Sequence, residues 1–292
     1  MDSSTAAHSW YLGRNLEGFL VYLQRSEEHK IFQNFLDKIL PDEFARIGEG
    51  KSDLNFLSIG SGGGEMDVHM IAILQSKLKQ GTNISVDVAE PSESLIDNFK
   101  ALVAKSPNLQ KIQFSWNTLS SEKYEEKLKN SKETKKFDFI HMIQVLNHVT
   151  DCLETIKFFH SLLAERGKLL IIHGAVNNGF HILWKTFQQE LCKKSISEYF
   201  SARDVKCHLE KLGLKYEEHI INNTLDITEC FIEEDKTGEV LLDFLTDLDH
   251  FHQSLTADLR ANILNVLRNK CSTEKNGRIL FDSSVSAFLV YA

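Results

Sequence analysis

FDFIHMIQVLNHVTDCLETIKFFHSLLAERGKLLII, residues 137–172, is the stretch whose reading decides the fold. Phe137 to Ile143 is a short apolar run of strand length. Cys152 to Leu163 reads as a helix, and Lys168 to Ile172 as a second strand after a turn at Gly167. A strand, a helix and another strand in close succession predict a parallel pair with a right-handed crossover. The same alternation extends toward the N-terminus. Leu54 to Ile59 and Ile84 to Ala89 read as strands, and Ile112 to Trp116 as a third. Between them, Met66, Met70, Ile73, Leu74 and Leu78 repeat at helical spacing, and Leu95 to Val103 is helical. Ahead of this block, residues 10–39 carry a helical pattern that Pro41 is expected to end. At the other end, Gly277 to Phe281 and Val285 to Tyr291 flank Asp282-Ser283-Ser284. So short a link predicts two antiparallel neighbours. The fold class is therefore α/β.

Between the first strand and its helix lies LSIGSGGGE, residues 57–65. Glycine there permits backbone angles that a Cβ forbids and lets the chain approach a ligand lying across the strand ends. Gly60 and Gly62 are the candidate contacts. Glu90 closes the second strand, where an acidic side chain accepts hydrogen bonds from the ribose hydroxyls of an adenosine. A dinucleotide would need a helix N-terminus free to hold pyrophosphate. Glu65 and Asp67 at that terminus repel one. S-adenosylmethionine carries a sulfonium and an amine instead of phosphate, and acidic residues suit it.

The 137–172 stretch, with its FDxI strand, LxHVxD segment and glycine turn, resembles the fourth-strand region of class I methyltransferases. Nearly end to end, the chain resembles the histamine N-methyltransferase family. The motifs are FLSIGSGGGE at 56–65, EPS at 90–92, DFIHMIQ at 138–144, KFFHSLL at 157–163, LGLKYE at 212–217, DFLT at 243–246 and DLRA at 258–261. The resemblance implies a Rossmann-like class I fold. That fold has a mostly parallel seven-stranded sheet, an antiparallel C-terminal hairpin and an added helical substrate-binding region. It implies a helical lid over residues 1–50 and a methyltransferase domain over 51–292, with substrate-binding insertions near 176–200 and 223–275. It carries S-adenosylmethionine to Gly60, Glu90, Ser121 and Ile143, with Leu95 standing where the family has glutamine. Its polar substrate residues fall on Glu28, Gln144 and Ser283, the last in place of asparagine. Its aromatic lining falls on Phe19, Trp184 and Phe244. Phe180 replaces a tryptophan, Asn15 a tyrosine, Ser197 a cysteine, and Asn147-His148 an adjacent pair of tyrosines.

Methylation of an imidazole is an in-line displacement that needs neither metal nor covalent nucleophile. It needs the ring nitrogen about 3–3.5 Å from the methyl carbon. It also needs an acceptor for the other ring N–H, and Gln144 or Glu28 supplies one. Exchanging two tyrosines for Asn147 and His148, and adding Ser283, trades aromatic faces for hydrogen-bond donors. Donors suit carnosine, which has an imidazole, an amide and a carboxylate and would be converted to anserine, better than histamine. A non-catalytic cofactor- or partner-binding protein is the alternative from another class. Each residue also has a plain reading. Gln144 caps a strand, Glu28 is a solvated helix charge, Glu90 is a solvated charge before proline, and His148 is a fold residue.

Composition bounds these expectations. The chain has 292 residues, 42% hydrophobic and 25% charged, with a formal net charge of -8. An acidic balance disfavours a nucleic-acid partner or a basic membrane-binding face. No apolar run approaches the roughly 18–20 residues of a membrane helix, and no signal peptide is visible. The 5 cysteines form no CxxC pair, so free thiols, a cytoplasmic location and no metal site are expected. A small-molecule imidazole partner and a monomer complete the expectation.

Overall fold

The computed structural model describes residues 13–131, 135–192 and 198–292, with side chains from Leu16 onward. The Asn15 side chain and Ser197 lie outside the described residues. In chain order the elements begin with α1 (Gly13–Ser26), α2 (Glu28–Gly48), β1 (Asp53–Ile59), α3 (Glu65–Lys77), β2 (Asn83–Ala89), α4 (Glu93–Lys105) and β3 (Gln113–Asn117). They continue with α5 (Ser121–Asn130), β4 (Phe137–Ile143), α6 (Cys152–Ser161), β5 (Leu163–Gly174), α7 (Gly179–Thr186), α8 (Gln188–Leu191), α9 (Ala202–Lys211) and β6 (Tyr216–Ile221). The last are β7 (Thr224–Asp226), α10 (Lys236–Thr246), α11 (Phe251–Ser254), α12 (Ala257–Asn269), β8 (Ser272–Lys275), β9 (Arg278–Asp282) and β10 (Val285–Tyr291).

The chain divides into two compact units. One, His29–His173 with Val205–His219 and Ala287–Ala292, is built on a sheet that has seven strands among the described residues, in the order β3-β2-β1-β4-β5-β10-β6. β1 runs parallel to β2 and to β4, and β4 parallel to β5. β4 is buried along all but its last residue, so its apolar run reflects a sheet covered on both faces. β10 is the antiparallel strand. Ala175 donates to Ser284 O while Ala292 donates to Gly167 O, so β5 and β10 run in opposite directions. Ser283 to Asn223 O and Tyr291 to Lys215 O place β6 antiparallel to β10 in the same way.

The fold class is as expected, but the antiparallel pair is not the one the 282–284 link suggests. β9 pairs with β7 and β8 in a separate three-stranded sheet, and β10 leaves for the large one. The tight hairpin is β8–β9. Asn276 and Gly277 at its tip have φ of 53° and 72°, the Asn-Gly turn that matches strand twist. Nor does Pro41 end a helix. It lies inside α2, where Phe32, Leu36, Leu40, Phe44 and Ile47 form one buried stripe. Burying such side chains gives about 1.5–3 kcal/mol each, which outweighs the roughly 3 kcal/mol that an interior proline costs. The break in the N-terminal helical stretch falls instead at Glu27, with φ of 50°.

The other unit, Met1–Glu28 with Gly174–Asp204 and Ile220–Ser286, has its own core. Leu241, Leu242 and Leu245 of α10 pack with Leu183, Trp184, Phe251 and Phe281. α1 lies close against α10 because Gly18 has no side chain. A Cβ there would sit 2.6 Å from the Cβ of Phe244. Among the described residues no helix is long and apolar enough to cross a membrane.

Candidate active site

β1, β2 and β3 end in register at Ile59, Ala89 and Asn117, with the end of β4 beside them. Their following loops therefore meet along one sheet edge, where α/β proteins bind ligands. Gly60 enters the loop with φ of 66°, and its N–H donates to Ala89 O at 2.8 Å. A Cβ there would strike Val145 Cγ2 at 2.6 Å. Gly62 has φ of 56°, and a Cβ there would meet nothing within 4 Å. The first glycine serves close packing. The second leaves open space beside the loop.

Glu90 is only 2% exposed, which removes its reading as a solvated charge. Its Oε2 accepts from Gly62 N–H at 3.0 Å and its Oε1 from Ser92 N–H at 2.9 Å. The carboxylate thus ties down the loop, and each oxygen keeps a lone pair for a ribose hydroxyl. Burial pushes its pKa up to about 7, opposed by these two N–H bonds and aided by nearby Asp67. Asp67 does not face outward. It is buried on α3, with Oδ1 2.8 Å from Nε2 of His141 on β4. Glu65, the first residue of α3, is exposed. Ser121 opens α5 with Oγ bonded to Glu122 Oε2 at 3.1 Å, and Ile143 is the last residue of β4. Leu95 is buried and apolar, so it offers no polar side-chain contact.

Gln144 follows β4 with a left-handed backbone, φ 57°, a conformation that costs about 1–3 kcal/mol off glycine. Its own N–H donates to Ile172 O at 2.8 Å, so the backbone caps the strand. The half-buried side-chain amide bonds to none of the described residues. Leu146–His148 forms a single 3-10 turn. Burial, reinforced by His173, lowers the His148 ring to about 4, so it is neutral at physiological pH.

In the other unit, Glu28 is 6% exposed and not a solvated helix charge. The buried Tyr22 hydroxyl donates to its Oε2. Burial pushes the Glu28 carboxyl up to about 7, and the phenol's hydrogen bond works against that rise. Ser283, 1% exposed, lies near enough to the Tyr22 phenol to favour its ionised form, yet among the described residues its Oγ completes no hydrogen bond. The rings of Phe19, Phe180 and Phe244 cluster around Tyr22, with Tyr22 and Phe244 centroids 5.0 Å apart. Trp184 stacks at 6.1 Å on Tyr199 and spends its indole N–H on Leu245 O. Phe19, Phe180, Phe244, Glu28 and Ser283 thus gather about one residue, Tyr22, that periodicity reads as mere helix core. The Asp67–His141 pair was equally hidden, because neither residue breaks its element's pattern.

A methyltransferase cofactor fits this edge. Gly62 leaves room, Glu90 offers carboxylate oxygens, and exposed Glu65 at the α3 N-terminus disfavours phosphate. Strand order, glycine loop and acidic residue after β2 define a class I methyltransferase that uses S-adenosylmethionine. Residues 32–219 match the methyltransferase-domain family. The chain is 42% identical to histamine N-methyltransferase A of Xenopus laevis over 100% of both chains. It is 41% identical to the histamine N-methyltransferase of Cavia porcellus over 96% of both. The chain belongs to the histamine N-methyltransferase family. Among solved structures, the YcgJ protein of Bacillus subtilis shares the fold at TM-score 0.53 and 14% identity, covering 86% of this chain and 97% of its own. The plantazolicin methyltransferase BamL, solved with a triazolic desmethylPZN analog and SAH, does so at 0.51 and 14%, covering 99% and 95%.

Proposed function

We propose that this protein, as a cytoplasmic monomer, methylates an imidazole nitrogen of carnosine to give anserine. The observation that carries the choice of substrate is Ser283. Among the described residues its buried hydroxyl completes no hydrogen bond, and such a group costs about 1–3 kcal/mol unless a ligand completes it. Carnosine brings an amide and a carboxylate as acceptors, whereas histamine brings neither. Asn147 and His148 are the further polar contacts in this proposal, with neutral His148 acting as an N–H donor.

Gly60, Gly62, Glu90, Ser121 and Ile143 hold the cofactor, which supplies a methyl on a cationic sulfur. Phe19, Phe180, Trp184 and Phe244 give the substrate apolar walls. The methyl would pass to one ring nitrogen with the sulfur leaving as a neutral thioether, which would leave the ring cationic. Gln144 Oε1 or the Glu28 carboxylate would accept a hydrogen bond from the other ring N–H, and the proton would then pass to the Glu28 carboxylate or to bulk water. A carboxyl near 7 suits the latter task.

Histamine is the second reading, favoured by the names of the relatives at 41% and 42% identity. The test is to incubate the protein with methyl-labelled cofactor and carnosine and to locate the label by nuclear magnetic resonance. Label on an imidazole nitrogen is expected. Label on the amine or carboxylate, or none transferred, overturns the proposal.

A further inference from the structure

We infer that Tyr22 is a positioning residue of the substrate site: its phenol occupies one oxygen of Glu28 and leaves the other as the acceptor that meets the substrate. The inference rests on Glu28 being a substrate residue, as proposed above. Tyr22 lies on α1 and Glu28 opens α2, and the left-handed residue Glu27 between the helices has φ of 50°. Both side chains are buried. The phenol donates to Oε2, and the Glu28 N–H is held by Ser26 Oγ at 3.3 Å. Among the described residues Oε1 has no donor, and no cation pairs with the carboxylate. Neighbouring Arg25 pairs with Glu229.

A buried carboxylate without a cation is unfavourable unless a ligand brings a cation or an N–H to it. Tyr22 makes the charged form tolerable and fixes which oxygen is spent. The groups around this pair leave it that role. Tyr22 on α1 is the titratable partner of Glu28. Ser26 and Ser283 bear on the phenol from the helix break and the β9–β10 link. Phe180 of α7 and Phe244 of α10 pack on the Tyr22 ring and are apolar.

Substrate that needs an anionic Glu28 should bind less well as Glu28 protonates, which happens below about 7. Losing the phenol removes the interaction that opposes protonation, so this limb should move to higher pH. The experiment compares wild type, Tyr22→Phe and Glu28→Gln at saturating S-adenosylmethionine, with kcat and KM for carnosine and histamine referred to the neutral-imidazole form of each substrate, from about pH 5.5 to about pH 9, each unit of limb shift being about tenfold below the limb. In Tyr22→Phe the acid limb of kcat/KM should move up by about one unit, mostly through KM. Glu28→Gln should lose the limb and about tenfold or more of kcat/KM. An unmoved limb in Tyr22→Phe alongside a lost limb in Glu28→Gln overturns the inference and leaves the Glu28 proposal standing. A Glu28→Gln variant that keeps both activity and limb overturns the Glu28 proposal itself. Should Tyr22→Phe fold poorly, 3,5-difluorotyrosine at position 22 keeps the shape with a stronger donor and should move the limb to lower pH. No movement there overturns the inference equally.

Discussion

Acidifying the solution should loosen the cofactor through one group, Glu90. Its carboxyl is pushed up to about 7 because burial outweighs its two N–H bonds. A ribose diol donates two protons, so the anionic form is the one that receives it. With that acidity the ionised fraction falls from about ten-elevenths at pH 8 to about one-eleventh at pH 6, so the apparent Kd should rise about tenfold, or about 1.4 kcal/mol. Cofactor binding should in turn pull the carboxyl below 7, releasing a proton near neutral pH and none above about pH 8. S-adenosylhomocysteine is the right ligand for the measurement, since it keeps the ribose and cannot react. Calorimetry at several pH values gives the slope directly. Glu90→Gln removes the titration and also turns an amide NH2 toward the N–H of Gly62 or Ser92. One donor is then unpaired, at a cost of about 1–3 kcal/mol. That variant should bind about tenfold or more weakly with a flat pH profile. A wild-type affinity that is flat between these pH values, or an equal slope in Glu90→Gln, refutes the assignment.

Three further outcomes are expected. Gln144→Ala should lower kcat/KM about tenfold or more with little change in melting temperature, because the strand is capped by the backbone; retained activity with lost stability would show a structural role. Converting Asn147 and His148 together to Tyr should shift the kcat/KM ratio toward histamine by about tenfold; an unchanged ratio removes them from substrate selection. Gly64→Ala should destabilise strongly, since its Cβ would fall 2.1 Å from the Phe99 ring at φ 85°, whereas Gly62→Ala should cost only the roughly 1–2 kcal/mol of a left-handed residue. Thermal melts that rank the two in the opposite order would contradict this division of labour.

The centre of the sheet was legible because β1, β2, β4 and the latter part of β5 are largely buried and read as apolar runs, whereas β6, with exposed Glu217 and Glu218, carries no such run. The expected Phe137 to Ile143 is the whole of β4. The Asp282-Ser283-Ser284 link misled because length alone cannot distinguish a hairpin from a crossing between sheets. Here Asp282 Oδ1 takes the Ser284 N–H at 2.9 Å and the chain changes sheets. Asn276-Gly277 was the turn signal to follow. Pro41 misled because local propensity gave way to a long buried stripe. In the site, Glu90 and Gln144 were visible as polar residues at strand ends. The partner of Glu28 was not. Tyr22 fits the apolar spacing of α1, and nothing in the residue types announces the break at Glu27 that brings its hydroxyl to the carboxylate.

The central claim is tested most directly by competition. Purified protein is offered equimolar carnosine and histamine with methyl-labelled S-adenosylmethionine, and the products are separated and counted at early times. The account predicts label chiefly on the imidazole of carnosine. Label chiefly on histamine, or on neither, would contradict it.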